Sequence, residues 1–94
     1  MTDVEKLMIL KKDLQLLNDA NDEYLTQLIS LSKSAITTEG IRLTDDVECD
    51  MAVVQYAAYL FRKRASNETA MPRFLRFQLN NMLFKQKAGG TNDV

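Results

Sequence analysis

Four groups of residues in this 94-residue chain have types and spacings that could do chemistry. Asp45, Asp46, Glu48 and Asp50 place four carboxylates within six positions, as a cation site would require. A calcium loop, however, needs glycine at its sixth position and glutamate at its twelfth, and this run has neither. Asp19, Asn21 and Glu23 fail in the same way, because Tyr24 stands where the glycine belongs. Both runs read better as helix-capping acids, which bond to free first-turn amides and favour the positive end of the helix dipole. Cys49 is the only cysteine, and the chain has no histidine. Zinc sites of the Cys/His type and His-based pairs and triads are therefore excluded, and Cys49, with no histidine to activate it, reads as a packing residue. Tyr24, Tyr56 and Tyr59 have no base beside them and read as core residues with the hydroxyl at the rim. No glycine-rich phosphate loop or nucleophile elbow occurs. The expectation is a protein that is not an enzyme, with no cofactor and no metal.

The fourth group is basic. Arg73, Arg76, Lys85 and Lys87 occur with no acid between Thr69 and Asn92. They could contact phosphates, or they could face acids on another subunit. Charge is divided along the whole chain. Residues 1–50 hold eleven acids against five bases, net -6, while residues 51–94 hold two acids against seven bases, net +5. Copies with an acidic front and a basic back can attract one another head to tail, which produces rings or filaments. Helix-cap acids and helix-end bases would give the same split without any such role. In the assembly reading, Asp45, Asp46, Glu48 and Asp50 form an acidic counter-surface.

These residues must be positioned by helices, because one proline and three glycines leave little punctuation. Helix 1 is expected from about Asp3 to Leu16. Thr2 and Glu5 form its capping box, and Leu7, Leu10, Leu14 and Leu17 form its apolar stripe, with Lys6 off it. Helix 2 follows the turn at residues 18–23 and runs to about Thr38, with Leu25, Leu28, Ile29, Ser32, Ala35 and Ile36 facing the core. Gly40 is a candidate left-handed C′ residue in the link that follows. Helix 3 is expected after Thr44, Asp45 and Asp46 and reaches about Ala65. Its residues Met51 to Phe61 are apolar all round the axis, so it should be the central helix. Pro72 opens helix 4, which is expected to run to about Lys87.

Helix 4 carries two apolar faces. Leu75, Leu79, Met82 and Leu83 share one side, and Phe74, Phe77 and Phe84 fall roughly opposite. A terminal helix of a small bundle needs only one such face, so the second points to a neighbour, unless the phenylalanines fold into the same core or cover a loop. The fold expected is all-α: one small four-helix domain over residues 1–88 with a central apolar third helix, then a flexible tail over 89–94. The longest apolar run, Met51 to Phe61, is shorter than the roughly 20 residues a bilayer requires. No signal-peptide pattern opens the chain. The expectation is a soluble protein made in the cytoplasm, with no membrane partner.

The order of elements resembles the head–tail connector family of tailed bacteriophages, also called head-completion or adaptor proteins. The matching pieces begin with Leu10-Lys11-Lys12-Asp13-Leu14, then Asn21-Asp22-Glu23-Tyr24-Leu25 with Leu28-Ile29 and Ala35-Ile36. Ala52, Ala57, Tyr59 and Arg62 follow, then Met71-Pro72 with Leu75 and Leu79, so the likeness covers about residues 7 to 84. The tryptophan common beside the third-helix tyrosine is absent, and the closing helix continues into a basic tract, Asn80 to Lys87. The resemblance implies a structural virion protein of the neck, at the head–tail interface. Copies would form a homo-oligomeric ring, commonly of about a dozen subunits, beneath the portal protein. The ring would extend the channel through which DNA passes without sequence reading, and it would dock stopper or tail-completion proteins. Phe74, Phe77, Phe84, Arg73, Arg76, Lys85 and Lys87 are the candidate subunit or portal interface. The competing reading is a small helical DNA-binding or packaging-recognition protein, with helix 4 as the reading helix.

Overall fold

The capping box forms as expected. The Glu5 amide donates to Thr2 Oγ1 at 3.1 Å, and the Thr2 amide donates to Glu5 Oε1 at 2.9 Å. From there the computed structural model describes residues 1–66 and 70–92 as four helices. They are α1 (Asp3–Asp13), α2 (Asp22–Thr38), α3 (Val47–Ser66) and α4 (Arg73–Asn92). Among the described residues there is no strand, so the chain is a small all-α domain.

α1 is shorter than expected. Leu14 caps it, and Gln15 takes a left-handed backbone with φ of 58°. The Gln15 amide then donates to Lys12 O and the Leu16 amide to Lys11 O, at 3.1 and 2.9 Å. This is the paired closure of a Schellman motif, with glutamine where glycine is usual. The reversal overturns one expected core residue. Leu10 is fully buried and Leu7 and Leu14 partly so, but Leu17 leaves the helical register and is 99% exposed.

α2 buries Leu25, Leu28, Ile29, Ser32 and Ile36, while Ala35 is half-buried. The buried Ser32 hydroxyl donates back to Leu28 O at 2.7 Å, so its burial leaves no donor unmet. Gly40 ends this helix with φ of 98°, as its C′ placement requires. A Cβ there would lie 3.5 Å from Leu83 Cδ1, so α4 passes close to this turn.

α3 is the central helix. It packs against α1, α2 and α4, and Ala52, Val53, Val54, Ala57, Ala58 and Tyr59 are buried. Its small residues let three neighbours approach one axis. Asp46 starts it, accepting the Cys49 amide on Oδ1 at 2.8 Å and the Thr44 hydroxyl on Oδ2 at 2.6 Å. Those two bonds, the hydroxyl's first, hold the Asp46 carboxyl below the ordinary aspartate range.

α4 buries Leu75, Leu79 and Met82 against the rest of the fold. Pro72 stands one residue ahead of its first turn, and Arg76 N donates to Pro72 O at 3.1 Å. The helix continues through Asn92, beyond the end expected near Lys87. Glycines lower helix propensity but, unlike proline, leave the hydrogen-bond ladder intact. Of the expected tail, residues 93 and 94 lie outside the described residues.

Candidate functional site

The residues expected to form an interface are carried by α4 and held there by the α2–α3 link. Gln86 clamps that link at two points: its amide nitrogen donates to Arg42 O, and its carbonyl oxygen accepts from Arg42 N, both at 2.7 Å. Arg76 pairs with Glu39 just after α2. Lys85 pairs with Glu48 in the first turn of α3 at 3.2 Å. These contacts, with the buried Leu75, Leu79 and Met82, fix which way α4 faces.

Fixing the buried face also fixes the open one. Phe74, Phe77 and Phe84 are 67, 66 and 75% exposed. None folds back into the core, so both apolar faces read from the spacing are present and only one is covered within the chain. Arg73, Lys85 and Lys87 are exposed beside the phenylalanines, and Arg76 is half-buried on the inner flank. The result is an aromatic stripe with cationic edges.

The expected acidic counter-surface does not form as a unit. Asp50 is a correction: it is only 6% exposed and lies 3.6 Å from Lys6, itself 7% exposed. One turn into α3, Asp50 faces α1, not solvent. Lys6 lies off the leucine stripe of α1, yet it turns inward to this partner and also reaches Asp3 at 3.3 Å. Asp3 in turn takes Lys33 of α2 at 2.6 Å, so the chain of charges ties α1, α2 and α3 together. Lys33 and then Lys6 hold the Asp3 carboxyl below its usual range. Asp46 is committed to its cap and Glu48 is paired with Lys85. Asp45 stays outward, with its carboxylate 3.1 Å from the Met1 amine. Between them Val47 is exposed.

The other candidate groups serve packing. Cys49 is buried, with Sγ 3.9 Å from Arg42 O. Tyr59 is buried and meets Tyr56 edge to face at 5.9 Å. Burial pushes the Tyr56 phenol above its ordinary range, which makes it a poorer proton donor. The Arg64 guanidinium lies 4.6 Å from the centre of the Tyr24 ring. Among the described residues, no three Cys, Asp or Glu side chains converge as metal ligands would. No described helix is long and apolar enough to cross a membrane.

Sequence reasoning missed a second exposed apolar region. Val4 and Met8, one turn apart on α1, are both exposed. With Lys11, Lys12, Gln15, Leu16 and Leu17, Met8 lines an open groove of about 650 Å³. The four-residue step from Val4 to Met8 was a visible signal. The exposure of Leu17 was not, because it depends on a glutamine adopting left-handed geometry. Comparisons with protein-family models, curated proteins and solved structures find no match to this chain.

Proposed function

We propose that this chain is a structural subunit of a phage head–tail connector, acting by assembly and not by catalysis. The observation that carries the reading is the stripe of Phe74, Phe77 and Phe84, which stands in solvent while α4 buries its other face. Three exposed phenylalanines on one helix are costly for a lone domain and useful in an assembly. The reading also draws on the ordered likeness to connector proteins and on the split of charge, -6 in front and +5 behind. In a ring of about a dozen copies beneath the portal, α4 and the Val4–Met8 region supply two separate surfaces. Of the acidic side only Asp45 still faces outward, near the exposed Val47. The place of action in this reading is the virion neck.

The DNA-binding alternative has less support. A reading helix turns polar and basic side chains toward base edges, whereas the outward face of α4 carries phenylalanines. Light scattering over a concentration series, with co-sedimentation on isolated portal rings, tests the proposal. Self-association or portal binding is the expected result. A strict monomer that ignores portal rings but shifts duplex DNA in a salt-sensitive manner would replace it with the alternative.

A further inference from the structure

The exposed residues of α4 follow a stricter pattern than a general apolar patch. Phe74, Phe77, Asn81, Phe84 and Ala88 recur at steps of three, four, three and four, the a and d positions of a heptad. All five are exposed. The buried Leu75, Leu79 and Met82 occupy b, f and b on the other side. A seam suited to a second helix thus lies open for about 15 Å between Phe74 and Phe84. Asn81 sits in the middle of it at an a position, where a buried asparagine fixes register and partner choice at some cost in affinity.

The flanks say which kind of helix fits. The e and g positions from Arg73 to Lys87 are Arg73, Gln78, Asn80, Lys85 and Lys87, three bases and no acid. Two copies of α4 would find no e/g ion pair in either orientation. No other described surface of the chain supplies the missing acids along an apolar seam. α1 offers Val4 and Met8, but Asp3 is taken by Lys6 and Lys33 and Glu5 by the capping box, and Lys11 and Lys12 follow. α2 offers Leu31, and α3 offers Val47 in its first turn, where Asp46 caps the helix and Glu48 is paired. Each is shorter than the α4 seam. The Lys85–Glu48 pair is exposed on both sides, so an incoming carboxylate can take its place.

We infer that α4 is a docking seam for one helix of a different protein. That helix carries apolar residues at a and d, acids at e and g, and a polar residue opposite Asn81. The inference rests on reading α4 as an assembly surface, and it assigns that surface to a foreign helix and not to the contact between copies.

The test uses the full chain and synthetic three-heptad peptides with leucine at a and d. One peptide has glutamate at every e and g, a second has lysine there, and a third is the glutamate peptide with asparagine at its middle a position. Fluorescence anisotropy at two salt concentrations reads binding. The glutamate peptides should bind, at least about tenfold more tightly than the lysine peptide, and weaken as salt rises. The asparagine peptide should be preferred by the native chain, and Asn81→Leu should reverse that preference. Phe77→Asp and Phe84→Asp should abolish binding while leaving the thermal melt in place, since both positions are exposed. Equal binding of the glutamate and lysine peptides, or none, overturns the inference. Self-association that Phe77→Asp removes, with no peptide bound, also overturns it but leaves the connector reading standing. Peptide binding by a chain that neither self-associates nor engages portal rings upholds the seam and sinks the connector.

Discussion

Asp50 shows how far a single residue can depart from its apparent role. In the sequence it closes a run of four acids. In the fold it is a buried ion paired with a buried lysine. Lys6 keeps Asp3 at 3.3 Å and the Met1 amine, 3.4 Å from Asp50, keeps Asp45, so removing Asp50 weakens a shared network and strands neither cation. Asp50→Asn should therefore cost about 2 kcal/mol of unfolding free energy by urea titration, the worth of lost hydrogen-bonded charge contacts. Replacing both partners, as Lys6→Met with Asp50→Leu, should recover most of that loss. The capping aspartate makes a different prediction. The Asp46 carboxyl is held below its free value, so its contribution is present above about pH 4, the range of an unfolded aspartate, and is lost as the folded form takes up its proton. The urea midpoint should fall as pH drops from 5 to 3. Asp46→Asn, which can still cap but cannot titrate, should fall less over the same range.

At the scale of elements, the two faces of α4 predict opposite responses to truncation. Leu79 is fully buried and Phe77 largely open. Leu79→Ala should lose about 3 kcal/mol, whereas Phe77→Ser should change stability by no more than about 0.5 kcal/mol. Chemical denaturation of the two variants side by side decides this, and equal losses would mean that Phe77 packs inside. Much at this scale was legible in the sequence. The Thr2–Glu5 box, the stripe of α2, the Gly40 turn and the apolar girth of α3 each follow from local chemistry that tertiary contacts reinforce. Other features were not legible. The stop after Leu14 depends on Gln15 in a conformation its type disfavours. The inward turn of Lys6 depends on Asp50, which lies far away in sequence. Partners distant in the chain leave no spacing signal.

At the scale of the whole molecule, the extents are 49 × 28 × 17 Å. Within so thin a body α4 has cover on one side only, with Leu75, Leu79 and Met82 buried and Phe74, Phe77 and Phe84 exposed. The candidate site was partly readable in advance for this reason: two apolar faces on one terminal helix exceed what a thin domain can bury. Its acidic counterpart was not, because local pairing had already committed Asp46, Glu48 and Asp50. The central claim is that the open face of α4 mediates assembly. Co-sedimentation with isolated portal rings tests it most directly, comparing the native chain, the Phe77→Asp/Phe84→Asp double variant and Leu31→Asp, which alters an exposed apolar residue elsewhere. The native chain and Leu31→Asp should pellet with the rings, and the folded double variant should stay in the supernatant. A folded double variant that pellets as the native chain does would contradict the account.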